Sequence, residues 1–179
     1  MKRAAILDRD GVINRNERPV NRPDELVLFP RAAEAIRLLN GAGFLVCVAT
    51  NQGGVGLGYM SEADLKAVHR RMCELLAREG ARVDDIVACT HRPDAGCPCR
   101  KPKPGMLFAL ARRHDLHLAA SYMVGDRDTD VQAGLAAGTK TVFIGTGPSE
   151  AHYEARDLLD AAEWIVRDGG GSGLPRQDP

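Results

Sequence analysis

Short apolar runs alternate with amphipathic stretches along most of this chain. AAILD (4–8) is a continuous apolar run closed by an aspartate, the pattern of a strand covered on both faces. FPRAAEAIRLLNGAG (29–43) has helical spacing and a glycine stop, and FLVCVAT (44–50) is a second buried strand. SEADLKAVHRRMCELLAREG (61–80) predicts a helix opened by Ser61, with Asp64 at the capping-box position and Gly80 at its end. Its apolar positions Leu65, Val68, Met72, Leu75 and Leu76 share one face. A third strand is expected over 83–89, a helix over 104–116, a fourth strand over 121–126, a helix reaching Gly138, and a fifth strand over 141–145. A short helix over 150–162 and a sheet extension at WIV (164–166) complete the expected series.

Continuous apolar strands alternating with helices imply an α/β fold, a Rossmann-like three-layer sandwich around a mostly parallel sheet. Asp10 and Thr50 lie only 40 positions apart, which leaves no room for a separate cap domain. One domain over 1–168 is expected, with the cysteine-rich stretch 89–103 inserted in it and a polar, glycine-rich tail over 169–179.

Charge narrows the possible partners. Lys+Arg and Asp+Glu number 24 each, so no excess charge draws the chain to nucleic acid or an acidic membrane. No apolar run approaches the length of a membrane span, and the first residues are too soon interrupted by Asp8 to form a signal peptide. Five cysteines, an odd count, argue against a disulfide framework and for a reducing, cytoplasmic setting. The expected partner is a small phosphorylated metabolite and the expected state a monomer.

That partner follows from what the pattern places at the carboxyl ends of the strands, where such sheets bind ligands. Asp8 and Asp10 follow the first strand, Thr50 and Asn51 the second, Arg100 and Lys101 the third, and Asp126 the fourth. Three carboxylates, a hydroxyl and two cations suit Mg²⁺ and a phosphate far better than a core. Two aspartates at i and i+2 on an extended strand share a face, so Asp8 can attack phosphorus while Asp10 handles the proton. Thr50 and Lys101 can then neutralise phosphoryl oxygens.

Cys89, His91, Cys97 and Cys99 form C-x-H-x5-C-x-C, two i, i+2 pincers that complete a tetrahedral Zn²⁺ set with no open position. Such a zinc is structural, and it fixes Arg100 and Lys101 just past the last ligand. Cys47 and Cys73 are expected to be packing residues, and His69, His114, His117 and His152 to be surface or half-buried groups.

Taken together, LDRDG, VATNQ, CRKPKPG and VGDRDTD resemble the four motifs of the haloacid dehalogenase-like phosphatases. More closely, they are similar to the D-glycero-D-manno-heptose 1,7-bisphosphate phosphatases and the related histidinol-phosphate phosphatase domains. The resemblance implies Asp8 as nucleophile, Asp10 as acid and base, and Mg²⁺ on Asp8, the Asp10 carbonyl and Asp126. It implies Thr50 and Lys101 on the phosphoryl group, Asn51, Gln52, Arg100 and Arg127 near the substrate, and Asp130 supporting the metal from behind. Zinc at the matching cysteine and histidine positions is implied as well. One departure is NERPV (16–20), where many heptose enzymes carry Gly-Tyr-Val. The expected activity is removal of the C7 phosphate of heptose bisphosphate through an aspartyl phosphate, with histidinol phosphate the alternative substrate. Two readings of another class are a receiver-like signalling domain and a zinc-clipped binding protein. A receiver phosphorylates an aspartate ending its third strand, where this chain has Cys89.

Overall fold

A computed structural model describes residues 1–170. Six strands form one parallel sheet: β1 (Ala4–Leu7), β2 (Leu45–Asn51), β3 (Asp85–Cys89), β4 (Tyr122–Gly125), β5 (Lys140–Ile144) and β6 (Tyr153–Ala155), in the order β3-β2-β1-β4-β5-β6. The chain winds outward from β1 in one direction through β2 and β3, then returns to the other side of β1 with β4. The switch point therefore lies between β1 and β4. There the Asp8 amide donates to the Val124 carbonyl at 2.9 Å, which ties the end of β1 to β4.

Among the described residues five α-helices cover the sheet: α1 (Ala32–Gly41), α2 (Glu62–Arg78), α3 (Gly105–His114), α4 (Asp128–Ala137) and α5 (Leu158–Gly169). The strands alternate their side chains between two apolar clusters, as a sheet covered on both faces requires. Ala5, Leu7, Val46 and Val48 pack with α1, α2 and α5, while Ala4, Ile6, Cys47 and Ala49 pack with Met106, Leu107 and Leu110 of α3. This is the expected three-layer arrangement. Among the described residues no helix is long and apolar enough to cross a membrane.

Helix α2 starts as its sequence dictates. The Ser61 hydroxyl accepts from the Asp64 amide, and the Asp64 carboxylate accepts from the Ser61 amide. The C-terminal part differs from expectation. Tyr153–Ala155 is a strand within the expected 150–162 helix, and Trp164, Ile165 and Val166 lie inside α5. Asp157 caps that helix by accepting from the Asp160 amide, and Leu158, Leu159, Ala161, Ala162 and Ile165 are buried on one face. The helical face outweighs the β-propensity of a three-residue apolar run. Helix α5 extends through Gly169, the first position of the expected tail, and the tail's positions 171–179 lie outside the described residues.

Candidate active site

Beyond Leu7 the chain leaves the extended conformation and turns tightly. The amides of Val12, Ile13 and Asn14 all donate to the Arg9 carbonyl, and Gly11 adopts φ 82°. Asp8 and Asp10 therefore stand on a turn after β1, not on one face of an extended strand. A Cβ on Gly11 would run into the Asp126 carboxylate, so glycine is needed both for its backbone angle and for the approach of β4's end.

Asp8 is buried at the floor of a cavity of about 450 Å³ lined in part by Asp10, Asn51, Leu57, Arg100, Lys101, Arg127 and Asp130. Lys101 Nζ lies 2.9 Å from Asp8 Oδ1 and 2.7 Å from Asp130 Oδ1, and donates to the Ala49 carbonyl at 2.7 Å. Burial alone would lower the lysine's pKa; the two carboxylates outweigh it and hold the ammonium above its ordinary range. For Asp8 burial dominates in the other direction and pushes the carboxyl to about 7. Lys101 opposes that shift, and Asp130 and Asp126 add to it.

Asp8, Asp126 and Asp130 each turn a carboxylate oxygen inward, with these oxygens within 4.8 Å of one another. Asp126 Oδ1 is buried and has no hydrogen-bond partner among the described residues, a situation that costs about 1–3 kcal/mol or more unless a cation satisfies it. This donor set of hard oxygens fits Mg²⁺. Asp130 also accepts from the Arg127 amide at 3.1 Å at the start of α4, which places it behind Lys101.

Asp10 is gripped more tightly than its motif suggests. Its Oδ1 accepts from Arg9 Nε at 3.1 Å, Arg9 Nη2 at 2.8 Å and Asn14 Nδ2 at 3.0 Å, and its Oδ2 accepts from Gln52 Nε2 at 3.0 Å. Burial raises its pKa, but Arg9 and these hydrogen bonds outweigh that and hold it below the usual carboxylate range. Gln52 Nε2 also donates to Thr50 Oγ1 at 2.8 Å. Asn51 pairs twice with the Lys101 backbone, accepting from its amide at 3.0 Å and donating to its carbonyl at 3.2 Å. The structure thus brings Asp8, Asp10, Thr50, Asn51, Gln52, Lys101 and Asp126 together. It engages the amides of Asn51 and Gln52 within the protein, while Arg100 and Arg127 line the mouth.

Two residues of this cluster had no role assigned from the sequence: Arg9 lies inside LDRDG, and His69 lies in no motif. Arg9 is fully buried, and its Nη1 meets Nε2 of His69 on α2 at 3.1 Å. Position 69 continues the buried stripe 65–68–72–76, which was the available clue.

The cysteine cluster sits beside this wall. Cys89 Sγ is 3.0 Å from Cys99 Sγ and 3.5 Å from Cys97 Sγ, and His91 Nδ1 is 3.1 Å from Cys99 Sγ. The four ligand atoms lie within 4.8 Å of one another, as a tetrahedral ion requires. Burial would raise the Cys97 thiol, but the Arg100 amide and hydrogen bonds from Cys89 and Cys99 bring it to about 6. The β2–β3 register sets Asn51 opposite Cys89, so the first ligand is anchored at the crevice edge. The loop also packs on residues 53–56: a Cβ on Gly56 would stand 2.6 Å from the Arg92 amide nitrogen.

A HAD-hydrolase-like family model matches residues 98–168. The D-glycero-beta-D-manno-heptose-1,7-bisphosphate 7-phosphatase of Pseudomonas putida is 45% identical over 150 residues, spanning 83% of this chain and 86% of its own. The D-glycero-alpha-D-manno-heptose-1,7-bisphosphate 7-phosphatase of Burkholderia mallei is 39% identical over 92% of this chain and 88% of its own. The crystal structure of the B. bronchiseptica heptose bisphosphate phosphatase, complexed with magnesium and phosphate, superposes with a TM-score of 0.85 at 39% identity. That match covers 93% of this chain and 99% of the other.

Proposed function

Because the chain belongs to the D-glycero-D-manno-heptose 1,7-bisphosphate phosphatase family of the HAD-like hydrolases, we propose that it removes the C7 phosphate of that sugar bisphosphate. It is a phosphoric monoester hydrolase, and with that the receiver-like and binding-protein readings fall away. The observation that carries the reading is the meeting of Asp8, Lys101 and Asp126 at the ends of β1 and β4 and beside β2. A single domain over 1–168 with the loop 89–103 inserted contains all of it, and the free cysteines suit a reducing cytoplasm.

Asp8, the Asp10 carbonyl and Asp126 would hold Mg²⁺, and Asp130 would steady Lys101. When bound, Mg²⁺ neutralises phosphoryl charge. Asp8 attacks phosphorus with an oxygen lone pair while the bond from phosphorus to the sugar oxygen breaks. Its electron pair stays on that oxygen, which takes a proton from Asp10. Water then loses a proton to Asp10 as its oxygen attacks the phosphoryl group, and the Asp8–phosphorus bond breaks to restore the carboxylate. Arg9 makes Asp10 a good acid once it is protonated, and an anionic phosphoryl group beside Oδ2 pushes its pKa back up. Thr50 and Lys101 donate to the equatorial oxygens as their charge grows.

Cys89, His91, Cys97 and Cys99 would hold Zn²⁺ through four protein ligands, so its contribution is to order the loop that presents Arg100 and Lys101. Histidinol phosphate remains the competing substrate because of the five-residue spacer between His91 and Cys97. Phosphate release from heptose bisphosphate, histidinol phosphate and nucleoside monophosphates, with and without Mg²⁺, tests the reading. Mg²⁺-dependent release, fastest from the heptose, is expected. A faster histidinol phosphate reaction overturns the substrate, and no release from any overturns the phosphatase.

A further inference from the structure

Arg9 is the largest fully buried side chain among the described residues, and it stands in the chain between two aspartates of the site. A buried guanidinium is tolerated only when its donors are met, and each of its three nitrogens has a partner. Nε and Nη2 both donate to Asp10 Oδ1, and Nη1 meets His69 Nε2. A guanidinium has donors and no acceptor, so His69 Nε2 must present its lone pair and its proton must sit on Nδ1. The imidazole is neutral for the same reason. Burial and the neighbouring Arg9 push its pKa down to about 4, against the opposing pull of Asp10.

The consequence for Asp10 is an unequal pair of oxygens. Three donors crowd Oδ1, from Arg9 twice and from Asn14, while Oδ2 accepts only from Gln52. Oδ2 alone keeps room for a proton. Which oxygen faces the leaving group thus depends on how the Arg9 fork is turned. Nothing but His69 holds the far end of that fork among the described side chains.

We propose that His69, on α2 and outside every motif of the site, is a positioning residue for the proton-transfer step. It accepts from Arg9, Arg9 fixes Oδ1 of Asp10, and Oδ2 is left aimed at the leaving oxygen. The inference rests on the phosphatase reading and deepens it. Its signature is a dependence on leaving group. An alkoxide leaves only with a proton, whereas p-nitrophenolate leaves without one, so misplacing the acid slows the first and spares the second. A general loss of structure would slow both.

The test compares kcat/KM, which reports steps up to loss of the leaving group, for an alkyl phosphate and p-nitrophenyl phosphate with Mg²⁺. His69→Leu, which offers no acceptor, should lower the alkyl value about 10–100-fold, part of the roughly 10²–10⁴ that acid catalysis supplies. The aryl value should fall less than about threefold. His69→Gln, whose carbonyl can reach the same Arg9 nitrogen, should restore most of the alkyl rate. If the leucine variant does not fold, His69→Asn, polar but too short to reach Arg9, takes its place against glutamine. Equal losses on both substrates, no loss on either, or glutamine no better than leucine or asparagine overturns the proposal while the phosphatase stands. Wild-type protein releasing phosphate from neither substrate overturns the phosphatase reading, and this inference with it.

Discussion

Asp8 and Asp10 are two residues apart and chemically dissimilar, and the difference comes from their neighbours. Lys101 and Asp130 surround Asp8, whereas Arg9, Asn14 and Gln52 engage Asp10 on both oxygens. A nucleophile must be free to move onto phosphorus, and an acid must be held still; the contacts suit Asp8 to the first of these proposed roles and Asp10 to the second. Asp8→Asn should therefore fold normally, because Lys101 keeps its ion pair with Asp130 and its bond to the Ala49 carbonyl. Turnover should fall by about 10⁴-fold or more, the scale for an essential member of a catalytic unit. Phosphate release by the purified variant, alongside its thermal unfolding, checks both halves. Activity above a tenth of wild type would remove Asp8 as nucleophile. At this scale the sequence pointed to the candidate reacting groups and concealed the residues packed around them. An aspartate after an apolar strand announces itself, but burial of Arg9 depends on α2 folding over it, which no local pattern states.

Among the elements, those with strong local signals formed where the pattern placed them. Helix α2 has its capping box and buried stripe, and α4 ends at Gly138 with φ 85°. The stretch 150–166 had weak, mixed signals: a three-residue strand is too short for a period of two to show, and Trp164–Val166 favours β locally. Tertiary burial against α1 decided it. The loop 89–103 lies at the other extreme. It has scarcely any regular structure, its exposed residues offer little burial, and its order needs another source. The four side chains that converge there would supply one by holding an ion. We expect one Zn²⁺ per chain, retained through dialysis. Cys97→Ser should release it and lower stability by several kcal/mol, less than the roughly 10–16 seen where metal binding is the whole folding energy. Elemental analysis and thermal unfolding are the measurements. Protein grown with ample zinc but containing none would remove the clip. Activity should fall with zinc loss too, since Arg100 and Lys101 follow the last ligand directly.

For the molecule as a whole, charge is balanced at 24 against 24, so any positive field is local. It collects at the switch point, where Arg100, Lys101 and Arg127 line one cavity. Lys101 is matched by Asp8 and Asp130, whereas Arg100 and Arg127 form no ion pair among the described residues. Among the described residues no cap domain closes the cavity, and its walls include the loop 89–103 and the turn after β2. A Cβ on Gly53 would stand 3.3 Å from Arg100 Nη1, which sets that guanidinium against the turn. On the proposed reading, a reacting phosphoryl group beside Mg²⁺ and Lys101 would leave these arginines for something farther out. The remote C1 phosphate of a bisphosphate suits a planar fork of donors better than it suits a point charge. A charge-assisted contact of that kind contributes about 1.5–3 kcal/mol, or roughly ten- to a hundredfold. Arg100→Ala should lower kcat/KM for heptose bisphosphate by that factor and scarcely change p-nitrophenyl phosphate, with zinc content unaltered. Histidinol phosphate, whose amine meets like charge at the same place, should be slow with wild type and gain from the substitution. Equal losses on bisphosphate and aryl phosphate would mean that Arg100 serves the reacting group instead, and the distal anion would then need another partner.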